Sequence, residues 1–209
     1  MKISLNWLKT FVNITQSPEE IEQLLTATGL EVEHFETVDS VKGGMKGLIV
    51  GLVKECVKHP NADKLSLTKV DTGSGELLSI VCGAPNVAAG LKVIVAPVGT
   101  TVHPVSGEPF TIQKAKIRGE ASEGMLCAED EIGLGESHAG LLILPEDLPI
   151  GSSIADYFKV SSDTVFEIGL TANRGDAASH LGVAREIATV LNLPVNKPTF
   201  KGKVSDNNG

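Results

Sequence analysis

At 209 residues, with 42% hydrophobic and 21% charged side chains, the chain lies in the ordinary range of soluble globular proteins and has room for two small domains. No apolar run is long enough to cross a bilayer as a helix, and Cys56, Cys82 and Cys127, odd in number and far apart, argue against a disulfide framework or a thiolate zinc site. A formal net charge of −8 argues against a nucleic-acid binder that works by bulk electrostatics, since such proteins carry a basic face that displaces phosphate counterions.

In chain order, Leu5, Leu8, Phe11 and Val12 fall at helical spacing and predict a short amphipathic helix; no export signal is visible before them. Ser17, Pro18 and Glu20 predict the start of a second helix, with Ser17 as N-cap, Pro18 at the first helical position and Glu20 closing a capping box; Gly29 ends it. From Leu30 the texture becomes alternating, and short β-branched runs at 48–53, 66–70, 77–81 and 93–98 are separated by turns rich in Gly, Pro, Asn and Asp. About five strands at this spacing suit a small closed barrel better than a sandwich. After Gly151 a strand at 165–170, a polar loop at 171–179 and a helix at 180–191 follow, the helix carrying Leu181, Ala184, Ile187, Ala188 and Leu191 on one side.

Neither flank has enough apolar residues for a core of its own. The expected fold class is therefore α+β: a five-stranded closed β-barrel at 40–151, inserted into a small discontinuous α/β domain made of 1–39 and 152–200, with 201–209 as linker or tail. Residues 1–39 carry 2 basic and 7 acidic groups, 40–151 carry 10 and 13, and 152–209 carry 6 and 6. The barrel is thus not basic, and charge permits only a local cationic patch of modest affinity.

Two stretches offer such a patch. The turn His59-Pro60-Asn61-Ala62-Asp63-Lys64-Leu65 presents His59 and Asn61 as hydrogen-bonding groups and Lys64 as a compact charge, a set suited to phosphate, ribose or base edges; it is equally readable as a well-made turn. Lys114, Lys116 and Arg118 alternate with Ala115 and Ile117, so on a strand three cations would share one face while the apolar pair faces the core. The bland reading of that stripe is an edge protected against strand pairing.

Catalytic chemistry is not expected. Gly73-Ser74-Gly75 lacks the pattern of a nucleotide-binding loop, the five histidines show no metal-ligand spacing, and nothing orients His138 toward Cys127 and Asp130 as a thiol site. Asn173, Arg174, Asp176, Arg185 and Glu186 are read as a structural Arg and carboxylate network fixing the 171–179 loop.

The stretches 59–65, 80–87 and 118–128 (Arg118-Gly119-Glu120-Ala121-Ser122-Glu123-Gly124-Met125-Leu126-Cys127-Ala128) resemble the signature of the EMAP-II-type tRNA-binding OB-fold. Lys2-Ile3-Ser4-Leu5-Asn6-Trp7-Leu8 and Thr171-Ala172-Asn173-Arg174-Gly175-Asp176 through Glu186 resemble the N-terminal region of bacterial phenylalanyl-tRNA synthetase β subunits. The resemblance implies tRNA contact through His59, Asn61, Lys64, Asn86, Lys114, Lys116, Arg118 and Ser122, with neither a catalytic residue nor a metal in this chain. It also implies a longer β subunit whose remaining domains are absent here, a catalytic α subunit in an α2β2 ligase for phenylalanine and its tRNA, ATP and magnesium for that whole enzyme, and a cytoplasmic location. The alternative is a scaffold that holds subunit or domain interfaces with little direct tRNA contact.

Overall fold

The computed structural model describes residues 1–199, so the 201–209 tail lies outside the described residues. In chain order they form β1 (Lys2–Ser4), α1 (Leu5–Phe11), α2 (Pro18–Ala27), β2 (Glu31–Asp39), β3 (Ile49–Lys58), β4 (Ser66–Asp71), β5 (Leu77–Cys82) and β6 (Lys92–Pro97). There follow β7 (Thr101–Val102), β8 (Phe110–Thr111), β9 (Ala115–Ile117), β10 (Glu120–Ser122), β11 (Gly124–Leu126), β12 (Ile143–Leu144), α3 (Ile154–Tyr157), β13 (Ser162–Gly169) and α4 (His180–Leu191). The chain divides into two compact units, one of Met1–Val38 with the chain from Ser162, the other of Asp39–Ser161.

The first unit is a three-stranded sheet in the order β1-β13-β2, with Ile3 of β1 opposite Phe166 of β13 in an antiparallel pair. Its core gathers Ile3, Leu8, Ile21, Leu25, Leu30, Phe166, Ile168, Val183 and Ile187 from both ends of the sequence. Both halves contribute apolar surface that neither could bury alone, which is the physical reason they associate. α2 opens on the capping box read from its sequence: Ser17 Oγ accepts from Glu20 N–H and the Glu20 carboxylate accepts from Ser17 N–H at 2.8 Å. α4 is capped by Ser179, whose hydroxyl accepts from Gly182 N–H at 3.1 Å, and it stops at Asn192 in a left-handed conformation.

The second unit is the barrel. Its main sheet runs β11-β6-β3-β4-β5, every neighbouring pair antiparallel, with β12 beside β6. The fifth join, between β5 and the β10–β11 segment, is made by Glu123 N–H donating to Ser79 O at 2.8 Å and by Val81 N–H donating to Ser122 Oγ at 3.1 Å. Five strands so ordered form a nearly closed OB-type barrel. A register shift between Val53 and Glu55 marks a bulge that bends β3 around the barrel. β6 is apolar along both faces because both are covered: Val93 and Val95 pack with Val53, Val70 and Ile80, while Ile94 and Ala96 pack with Val50, Val102 and Cys127. At Gly51 a Cβ would lie 2.4 Å from Val95 Cγ2 and 2.9 Å from Val70 Cγ1, so the barrel wall has no room for a side chain there.

The unit boundary differs from the expected one at its second end. Residues 152–161 belong with the barrel: Val50 N–H donates to Ser152 O, Ile154 N–H donates to Leu48 O, and Ile154 is buried in the barrel core. The polar Gly151-Ser152-Ser153 run reads as a boundary in sequence, yet the apolar side chain just beyond it decides where the segment packs.

Candidate nucleic-acid interface

The 59–65 turn is built from its own backbone. His59 N–H donates to Leu65 O and Leu65 N–H donates to Ala62 O, both at 3.0 Å, leaving Asn61, Asp63 and Lys64 exposed at the tip. His59 itself departs from the expectation of a surface contact. It is 4% exposed, its Nδ1 accepts from Asn61 N–H at 3.0 Å, and its Nε2 lies 3.3 Å from Ile117 O. Local turn geometry folds the ring inward, and both nitrogens are used inside the protein.

The cationic stripe also takes another form. β9 and β10 make a separate two-stranded hairpin, with Ile117 opposite Glu120 and Arg118 and Gly119 between them at φ +52° and +102°. Positive φ at both central residues is the two-residue turn whose twist matches a hairpin. Arg118 is therefore at the turn, off the strand face that carries the alternation. Ala115 is exposed and Ile117 half-buried, so that pair does not face the core as expected. The hairpin is not one of the main barrel strands, and residues that alternate along it have no interior to alternate into. Lys114 Nζ is 2.6 Å from Glu123 Oε1, and the lysine holds that carboxyl below the usual carboxylate range. Lys116 and Arg118 are exposed and make no ion pair among the described residues.

Two further residues expected at the contact are occupied structurally. The Asn86 amide donates to Leu141 O at 2.9 Å and accepts from Leu141 N–H at 2.8 Å, clamping 83–87 to the segment before β12. Ser122 is 3% exposed; its hydroxyl accepts from Val81 N–H and donates to Gly124 O, both at 3.1 Å. Replacing Ser122 with alanine strands a buried amide at the barrel closure, so Ser122→Ala should cost roughly 1–3 kcal/mol in a urea melt, with tRNA affinity of the folded chain unchanged. Unaltered stability with reduced affinity would instead make Ser122 a contact residue.

The open polar set is thus Asn61, Lys64, Lys116 and Arg118, brought to one region by the His59–Ile117 bond. Sequence reasoning missed its neighbour Lys69. Leu67, Lys69 and Asp71 alternate outward on β4, and Glu55, Val57, Leu67, Lys69, Ser79, Glu120 and Ala121 line a shallow groove of about 170 Å³ beside the hairpin. The period-two pattern of 66–71 carries that signal.

Elsewhere the described residues hold no cluster of three or more His, Cys, Asp or Glu poised for a metal. His138 pairs with Asp130 at 2.9 Å, a carboxylate that raises the imidazole pKa, whereas the buried Cys127 thiol is pushed far up by desolvation and donates to Met125 O. A thiol so placed is not a nucleophile. In the first unit, Arg174 donates to both carboxylate oxygens of Asp176, to Glu186 at 2.6 Å and to Thr28 O at 3.0 Å; Asp176 is held below its usual pKa chiefly by that guanidinium. Asn173 and Arg185 add no side-chain bond to that network among the described residues. His180 stacks on Trp7 at 4.0 Å and accepts from Ser4 N–H, burial lowering its pKa.

A nearly closed five-strand barrel with exposed cations at its 59–65 turn and on the β9–β10 hairpin has the form of an OB-type nucleic-acid-binding module. Residues 48–153 match the family described as "Putative tRNA binding domain", and the chain belongs to that family. It is also similar to phenylalanine–tRNA ligase β subunits: 53% identical to that of Bacteroides fragilis over 191 residues, which is 91% of this chain and 23% of the relative. The corresponding figures are 52% over 189 residues, 90% and 23% for Chlorobaculum tepidum, and 46% over 209 residues, 95% and 25% for Salinibacter ruber. The chain spans about a quarter of the length of these relatives.

Proposed function

We propose that the chain is the tRNA-binding and structural part of a phenylalanine–tRNA ligase β subunit, supporting attachment of phenylalanine to its tRNA without housing the reaction. The observation that carries this is the similarity to β subunits across 191 residues, which extends beyond the barrel into the flanking unit. The name β subunit implies at least one other subunit; the catalytic site, and the ATP and magnesium it needs, are assigned to an α subunit of an α2β2 assembly in the cytoplasm. The described residues offer neither a phosphate loop nor a group of three His, Cys, Asp or Glu side chains that could hold a metal ion.

Asn61, Lys64, Lys116 and Arg118 meet the phosphate backbone or loop nucleotides. The exposed aromatic rings of the barrel unit, Phe110 and Tyr157, belong to other elements, so base stacking contributes little and affinity rests on charge and hydrogen bonds. Binding is accordingly modest and salt-sensitive. Titrating the chain with tRNA at two ionic strengths tests this: complexes at low salt that weaken steeply at higher salt support it, and salt-independent or undetectable binding at low salt refutes it.

A second reading, an interface scaffold with little tRNA contact, is favoured by two observations: the net charge of −8 and the neutralisation of Lys114 by Glu123.

A further inference from the structure

Three hydrogen bonds meet at His59. Its amide closes the 59–65 turn on Leu65 O, Asn61 N–H donates to Nδ1 at 3.0 Å, and Nε2 stands 3.3 Å from Ile117 O. At 4% exposure the residue is almost wholly shielded from bulk water, and both ring nitrogens have partners inside the protein. An amide N–H must be received by a lone pair, so Nδ1 is unprotonated; a carbonyl only accepts, so Nε2 carries the hydrogen. The ring is a neutral Nε2–H tautomer with one loop on each nitrogen.

Ile117 directly follows Lys116 and directly precedes Arg118. Among the described residues, the His59–Ile117 bond is the one hydrogen bond tying 115–121 to anything outside their own hairpin. Ser122 and the Lys114–Glu123 pair hold only the hairpin's base. We infer that His59 is a positioning residue, a neutral imidazole joint that holds Lys116 and Arg118 in register with Asn61 and Lys64 so that one RNA segment meets both loops at once. The inference rests on the tRNA-contact reading above. Its energetic logic is preorganisation: a hairpin already fixed by the fold need not be ordered when RNA arrives, and two loops held at fixed spacing act as one site.

The two ring bonds can be removed separately. Asparagine places its amide near the position of Nδ1, keeping an acceptor for Asn61 N–H but falling short of Ile117; glutamine reaches the position of Nε2 and keeps that donor. In the 209-residue chain, His59→Asn should speed amide exchange in 115–121 while leaving β3 to β6 protected, and should weaken tRNA binding by about fivefold to tenfold. His59→Gln should restore both to within about twofold of the parent. On a Lys116→Ala/Arg118→Ala background, His59→Asn should cost no further affinity, because the groups it positions are gone.

The joint is refuted if His59→Asn leaves hairpin exchange and affinity unchanged, if glutamine does no better than asparagine, or if the losses add in full. Nitrogen chemical shifts of the His59 ring in the parent chain test it without any variant: an Nδ1–H tautomer overturns it. Failure of the tRNA-contact reading looks different, since the parent chain then binds no tRNA at low salt while exchange and ring shifts still report on the joint.

Discussion

Reversing both open cations of the β9–β10 hairpin, Lys116→Glu with Arg118→Glu, is expected to weaken tRNA binding by about thirtyfold at low ionic strength and to lower the salt slope by roughly two counterions. Both side chains are exposed on the β9–β10 hairpin, free of ion pairs among the described residues, and therefore able to release counterions from a phosphate. Lys114→Glu should do less. Its charge is already spent on Glu123, and the reversal mainly places two carboxylates side by side. The effect should be nearly independent of tRNA sequence, because phosphate contacts position a duplex or loop without reading it. Filter binding across a salt series measures both quantities. Affinity within twofold of the parent would leave the interface scaffold as the surviving reading. In the full-length ligase of the proposed function, reversing Lys114, Lys116 and Arg118 together separates the two directly: lost tRNA affinity favours contact, whereas intact affinity with weakened subunit assembly favours the scaffold.

Gly182→Ala should destabilise the first unit by about 2–4 kcal/mol, although helix propensity alone would favour alanine by roughly 1 kcal/mol. Gly182 sits in the first turn of α4, where the 171–179 loop folds back on the helix. A Cβ there would stand 2.2 Å from Asp176 O and 2.8 Å from Ala177 Cα. Both neighbours are backbone, so no rotamer change relieves the clash. The loop cannot readily retreat, since Ala177 is fully buried and Arg174 grips Asp176, Glu186 and Thr28 O. Urea unfolding monitored at Trp7, the single tryptophan, reads the change in this unit. Increased stability would show that the loop does not press on the helix in solution.

The two variants probe features of very different legibility. The Ser17 and Glu20 capping box and the alternation of β4 and β5 are set by residues within one turn or one strand of each other and so can be read locally, as can Ala184, Ile187 and Ala188 on the buried face of α4, although that face takes in Val183 and leaves Leu181 out of the core. The cationic stripe shows the limit of that reading. Alternation of Lys114, Lys116 and Arg118 is a true pattern, but Arg118 precedes Gly119, and a two-residue turn there outranks the strand period. The Arg118-Gly119 dipeptide carried the signal for the turn. Asn86 and Ser122 lie within recognisable motifs, yet their polar atoms are taken up by Leu141 and Val81, partners 55 and 41 residues away.

The spacing of apolar residues and turn formers determined by itself that the chain would place a small barrel between two segments lacking cores of their own, because hydrophobic burial follows patterns a few residues long. Only tertiary structure decided which polar groups stayed free. His59 and Ile117 are separated by 58 residues in sequence, and a hydrogen bond between them costs nothing that local composition records. Whether an imidazole faces RNA or a distant carbonyl depends on how the barrel's loops converge, which is fixed by the sum of its strand pairings and by no single one of them.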